Sequence, residues 1–294
     1  MITRTEGIAM LEYANEDVGN IVLLEHVNLQ VPDQPLATLF YVVGLGLTRD
    51  PYFNIGVRNM WANAGEQQFH LPTRPAQVLH GHIGVVVPDL DSLKERFASV
   101  EQALANTKFS WSVQSDHIAA TCPWGNRFRC YAAAPNFGDM ALGIPYLEFL
   151  VERDRAKGIA HFYQQVLAAP AMTETTDTGT VARVKIGRNQ SLVFKESSEP
   201  RPEYDGHHIA IYVANFSRPY AFLKQRGLIS EEVRNHQFRF KQLVDPDNDA
   251  GVFVIEHEVR SMHHPMFHRV MVNRNPDESA RRYRRGRDGL NPYS

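Results

Sequence analysis

Residues 25–33, EHVNLQVPD, put Val27, Leu29 and Val31 on one side of an extended chain and His26, Asn28 and Gln30 on the other. The same alternation returns as GHIGVVVPD from Gly81, as PYLEFLVERD from Pro145 and as HHIAIYVANF from His207. Aligned, the copies bring His26, His82, Tyr146 and His208 to one register. One face is aliphatic in every copy and the other mixed, as expected of strands backed by helices on one side and lining a cavity on the other.

A helical pattern follows each strand. PLATLFYVVGLGL (35–47) and IAHFYQQVLAAP (159–170) share Phe-Tyr and a Leu-rich end, whereas DLDSLKERF (89–97) and SRPYAFLKQRG (217–227) share Leu-Lys-x-Arg. Asp91 and Ser217 stand where helix N-caps are expected, and Gly227 where a helix stops. Three short strands separated by turn residues then complete each unit, ending at GEQQFHLP (65–72), GNRFRCYAAAP (125–135), NQSLVFKES (189–197) and AGVFVIEHEV (250–259). Four βαβββ modules result, in the order A-B-A-B. They predict an α+β fold of curved mixed sheets with helices outside, the modules paired into two cup-shaped halves. The boundaries are 21–135 for the N-terminal pair, 141–260 for the C-terminal pair, and 261–294 for an arm that ends in a mobile basic tail. APNFGDMALG (134–143) reads as the join.

The repeated His-alternation-Pro-Asp strand and the Phe-Tyr helix resemble the vicinal oxygen chelate superfamily, which includes glyoxalase I, fosfomycin-resistance proteins and extradiol dioxygenases. The four-module length is most similar to the extradiol enzymes. The resemblance implies cups that hold a divalent metal through inward side chains of first and last strands. In the N-terminal half these positions carry His26, His70 and His82, with Arg129 at the fourth, where the family's usual Gly-Asn-x-x-Glu has its carboxylate. A guanidinium cannot ligate a cation, so at most three protein ligands and open coordination positions are expected there. In the C-terminal half His208 and Glu256 occupy ligand positions, but the remaining histidine of the extradiol triad falls on Tyr146, unless Tyr146 or Glu148 supplies an oxygen.

The function this implies is a metal-dependent dioxygenase acting with O2 on a small oxygenated or aromatic substrate. Fe(II) is favoured, with Mn(II) or Zn(II) as alternatives, since imidazoles alone do not select iron. Arg129, Tyr146 and Tyr212 are the expected orienting groups around the substrate. A glyoxalase-like isomerase or lyase is the alternative, disfavoured because the last strands of the N-terminal cup lack a carboxylate base. A metal-free binding protein is the other.

Composition narrows the picture. The chain has 294 residues, 43% hydrophobic and 22% charged, with a formal charge of −2, so no general attraction to nucleic acid or membrane is expected. The local exception, RRYRRGR (281–287), reads as a solvated tail or subunit contact, leaving a homodimer open. Cys122 and Cys130 are expected to be buried thiols. The first twenty residues lack a secretory apolar core, which predicts a cytoplasmic protein. DPDNDAG (245–251) imitates a calcium loop but has Ala250 where the sharp turn needs Gly, and reads as a strand-joining turn. His263, His264 and His268 are expected to be exposed.

Overall fold

A computed structural model describes residues 16–53, 56–177, 179–233 and 236–293. Residues 1–15, on which most of the expectation about a leader rests, lie outside the described residues. Among those described, no helix is long and apolar enough to cross a membrane.

All four modules form. The first comprises β1 (Ile21–Asn28), α1 (Gln34–Ala37, continuing through π-helical turns over Thr38–Gly44), β2 (Thr48–Arg49), β3 (Asn59–Ala64) and β4 (Gln67–Pro72). The second has β5 (Gly81–Val87), α2 (Leu90–Leu104), β6 (Ser110–Val113), β7 (Ile118–Thr121) and β8 (Arg127–Ala132). The third has β9 (Tyr146–Val151), α3 (Ala156–Gln165), β10 (Ala171–Thr176), β11 (Gly179–Lys185) and β12 (Ser191–Glu196). The fourth has β13 (His208–Val213), α4 (Ser217–Gln225), β14 (Ile229–Val233), β15 (Gln237–Val244) and β16 (Gly251–Ser261).

The modules share sheets differently from the consecutive pairing expected. One eight-stranded sheet runs β14-β15-β16-β13-β1-β4-β3-β2 and joins the first module to the fourth. The other runs β10-β11-β12-β9-β5-β8-β7-β6 and joins the second to the third. The seams are antiparallel, β1 against β13 and β5 against β9. At the second seam Gly81 has no side chain for a steric reason: a Cβ there would lie 1.8 Å from the Glu148 carbonyl oxygen.

Consecutive modules meet through their backs instead. Phe40 packs on Phe97, Phe109 and Phe128, and Tyr41 on Phe69 and Phe128, so the helix of the first module is buried against the second. Phe162 and Tyr163 repeat the arrangement against Phe240, Phe194 and His257. All four helical aromatics are fully buried. Their fit is worth about 0.5–1.5 kcal/mol per ring pair beyond simple area burial. The aromatic packing thus joins the first module to the second and the third to the fourth, while backbone pairing joins the first to the fourth and the second to the third.

Two helix starts differ from expectation. Asp89, not Asp91, caps α2, accepting from the Asp91 and Ser92 amides. Ser217 is the first residue of α4, and Asn215 Oδ1 takes the Arg218 amide. Gly227 ends α4 with φ +66°, as a C-terminal glycine does. Both cysteines are free and buried, and residues 245–249 form the turn between β15 and β16.

His257 is a titratable group of the core outside the cups. It is fully buried, receives the Tyr163 hydroxyl proton at Nε2 (2.7 Å) and donates from Nδ1 to the Ile255 carbonyl (3.0 Å). Burial pushes its pKa down to about 4. Below pH 6.5 the unfolded chain therefore takes up a proton that the folded one refuses, and stability falls with pH until about pH 4. The expected loss across that window is about 3 kcal/mol. Urea unfolding of wild type and His257→Leu from pH 7 to pH 4 checks this. The variant should lose stability less steeply, and parallel pH profiles would refute it.

Candidate metal centre

Strand register brings the cup residues of the first sheet into two rows. One row reads Asn63, Gln68, His26, Ala210, Glu258 and Arg239, each pair directly opposite across neighbouring strands. The next reads Trp61, His70, Asn28, His208 and Glu256. Opposed residues in a ladder share a face, so these side chains line one concavity, while Phe69, Leu71 and Val27 fill the core behind. Ala210 matters by its size: it leaves the space between His26 and Glu258 open.

His26, His208 and Glu258 offer ligand atoms within 4.8 Å of one another, and all three are buried. Ligands to a common ion at about 2.0–2.2 Å lie within about 4.4 Å of each other, so a small side-chain adjustment closes the set. Nε2 of His26, of His208 and of neighbouring His70 is buried with no hydrogen-bond partner among the described residues. Buried polar nitrogens without partners are rare. Three of them in one cup, beside a carboxylate, fit a divalent cation, and two imidazoles with one carboxylate form the donor set of non-haem iron sites.

The surrounding residues fix the donors. β1 has a register irregularity between Leu24 and His26, which turns Glu25 inward as well. Glu25 Oε2 lies 2.8 Å from His26 Nδ1, which leaves Nε2 as the cup-facing nitrogen. Arg260 bonds both Glu25 and Glu258, the latter at 2.5 and 2.6 Å, and Arg239 bonds Glu258 and, at 2.8 Å, Glu256. Burial alone would raise the Glu25 and Glu258 carboxyls. The His26 hydrogen bond and the charges of His26 and Arg260 outweigh it at Glu25, as His26, Arg260 and Arg239 do at Glu258, and both are held below the usual carboxylate range. Burial, with the charges of His26 and the arginines, depresses His70 to about 2 and His208 well below its ordinary value. Both imidazoles are therefore neutral at physiological pH, with lone pairs available. The two guanidiniums keep Glu258 ionised, but a cation must share its oxygens with them.

The C-terminal arm covers this cup. Phe267 and His264 pack on Tyr212, at 4.9 and 6.1 Å between ring centres. Arg269 pairs with Asp50 at 2.8 Å and lies over Phe53, and Asn273 makes two hydrogen bonds to the backbone of Gly65. A cavity of about 270 Å³ remains beneath it, lined by Glu25, Tyr212, Met266, His268 and Arg269 among others. His264 is accordingly buried, contrary to expectation, while Arg281 to Arg287 are exposed as expected.

The ligand set expected for the N-terminal half is not assembled. His26 and His70 share the first sheet, with ring centres 5.8 Å apart, but His82 belongs to the second, where Nδ1 meets Glu148 at 2.8 Å. The cause is the pairing of the first module with the fourth. Arg129 and Tyr146 also lie in the second sheet, away from the metal cluster. His208 lies in the cluster, and the other histidine there is His26 of the first module, not a residue of the third. Glu256 stays within 3.7 Å of His208 Nδ1, yet Glu258 is the carboxylate that faces both histidines. Tyr212 is fully buried, its hydroxyl 3.3 Å from Arg260. Glu258, Glu25, Arg239 and Arg260 were not singled out from sequence. The alternation of IEHEVR already places Glu256, Glu258 and Arg260 on one face, but the bulge that turns Glu25 inward has no sequence mark.

No family profile matches the chain, and no curated protein matches it either. Solved structures do. Glyoxalase I from Zea mays superposes over 85% of this chain and 95% of its own, with TM-score 0.56 and 13% identity. A Bacillus subtilis protein provisionally assigned as a dioxygenase superposes over 84% and 86%, again with TM-score 0.56 and 13% identity. Catechol 2,3-dioxygenase aligns over 84% of this chain at TM-score 0.32, too loosely to compare sites. At these identities the likeness speaks for architecture alone. The chain shares the overall fold of these two structures, built here from four βαβββ modules in two eight-stranded sheets.

Proposed function

We propose that the chain is a metal-dependent oxidoreductase of the extradiol dioxygenase kind, holding Fe(II), or Mn(II) in its place, through His26, His208 and Glu258. The observation that carries this reading is the buried two-histidine, one-carboxylate cluster with unpartnered Nε2 atoms. When bound, the ion supplies a Lewis acid with open positions for two substrate oxygens and O2. Everything else falls to the chain. Glu25 orients His26, and Arg260 and Arg239 aim Glu258. Burial pushes the Tyr212 hydroxyl up to about 12, so it remains a proton donor to an anionic substrate oxygen. Trp61, stacked on His70 at 3.8 Å, gives an apolar wall for a ring. The arm lays Phe267 on Tyr212 and Met266 along the small cavity beside Glu25.

A second reading has an observation of its own. The first sheet contains a further inward carboxylate, Glu256, beside His208, so the base that a glyoxalase-like isomerase needs is present after all. The experiment is reconstitution under nitrogen with Fe(II), Mn(II) or Zn(II), followed by catechols and 2-oxoaldehyde thiol adducts with and without air. O2 uptake with Fe(II) or Mn(II) is expected. Turnover that needs no O2 and is best with Zn(II) would replace the first reading with the second.

A further inference from the structure

The second sheet repeats the architecture of the first with different chemistry. Its strand order matches position for position, so β5, β8, β9 and β12 correspond to β1, β4, β13 and β16. His82 stands where His26 does, but the position of His208 is taken by Tyr146, and those of Glu256 and Glu258 by Ser191 and Val193. On β4's counterpart stand Arg127 and Arg129. The carboxylate that remains, Glu148, is already paired with His82 at 2.8 Å and with Arg129 at 3.4 Å. Cation-binding chemistry has been replaced.

What remains is positive and aromatic. Register sets His82, Glu148, Val193 and Arg183 in one row, and Tyr146, Ser191 and Lys185 in the next. On β5, β8, β9, β11 and β12 the concave face thus carries Arg127, Arg129, Arg183, Lys185 and Lys195 against Glu148 and, on β10, Glu174. This concentration of cations lies in a chain whose net charge is −2. Tyr146 lies across Gly84, where a Cβ would come within 2.5 Å of its ring, and its hydroxyl meets that of Tyr131 at 2.8 Å. Tyr131 in turn packs on Phe137 at 5.0 Å. These rings form one wall of an open cleft of about 860 Å³, with exposed Met172 and with Arg183 and Lys185 on the facing side and Asp17 and Asp116 also lining it. Arg183 is exposed, bonds Ser191 Oγ at 3.2 Å, and lines the opening.

We propose that this second cup binds a small aromatic carboxylate, its ring against Tyr146 and Met172 and its carboxylate on Arg183 beside Lys185. A planar guanidinium matches a carboxylate fork, and tyrosine and thioether surfaces favour a flat ring over a compact inorganic ion. The site needs no metal and is independent of the reaction assigned to the first cup.

The test is calorimetric titration of the full-length, metal-free protein with benzoate, cyclohexanecarboxylate and inorganic phosphate, repeated for Arg183→Gln and His208→Ala. One saturable benzoate site is expected. Arg183→Gln should weaken it about 10-fold or more, as loss of a charged hydrogen bond does, with His208→Ala unchanged and cyclohexanecarboxylate weaker. Arg183 is exposed, so its variant keeps the fold, which circular dichroism verifies. Absence of saturable benzoate binding would overturn the proposal. So would phosphate binding as tightly as benzoate, or a site lost in His208→Ala but retained in Arg183→Gln.

Discussion

His208→Ala is expected to lower the affinity for Fe(II), Mn(II) or Zn(II) at least about 100-fold, whereas His82→Ala leaves it unchanged. Changes to residues that merely orient a ligand already cost about 10–100-fold, and His208 offers the ligand atom itself. The substitution should spare the fold, because among the described residues His208 Nε2 has no hydrogen-bond partner to lose and Nδ1 lies 3.7 Å from Glu256. His82 separates the two arrangements that the sequence allows, since it shares the register of His26 yet lies in the other sheet. Metal content of protein purified without chelators, with a competition titration, gives the answer. Retention of metal by His208→Ala, or its loss from His82→Ala, would remove the centre from the first cup.

The second large effect is on stability. Arg260→Met should destabilise the protein by about 3–5 kcal/mol, the usual result of removing one partner from a buried ion pair. Side-chain exposures are 7% for Arg260, 2% for Glu25 and 4% for Glu258, so neither carboxylate can turn to solvent when the guanidinium goes. Arg239 still bonds Glu258, but Glu25 keeps only His26. Urea unfolding at pH 7 measures the difference. A loss below about 1 kcal/mol, the range of exposed pairs, would mean that the Glu25–Arg260–Glu258 chain is solvated in solution.

The link between the two predictions is electrostatic. Glu25, Glu256 and Glu258 face Arg239, Arg260 and Lys241 in the first cup, so the polar set is close to neutral before any ion arrives. The His208 imidazole then offers its lone pair without a proton to displace, because burial has already removed it. The second cup has no such balance, which is why the same fold is assigned an anion there.

Much of this was legible in the chain. Alternation in HVNLQV, HIGVVV, YLEFLV and HIAIYV fixed which side chains face the cups, because a strand has a period of two whatever its partner. The Phe-Tyr pairs marked the buried helix faces, and the place of His26, His70 and His208 on inward faces followed from the same arithmetic. What the chain does not record is which strand lies beside β1. An antiparallel seam with β5 or with β13 satisfies the same alternation and the same backbone hydrogen bonds, and the choice depends on the whole surface each module turns to its neighbours. Tertiary structure decided for β13, through close packing of Phe40 and Tyr41 on the back of the second module. That decision separated His82 from His26, completed the His26–His208–Glu258 cluster, and left Arg129 and Tyr146 to the second sheet.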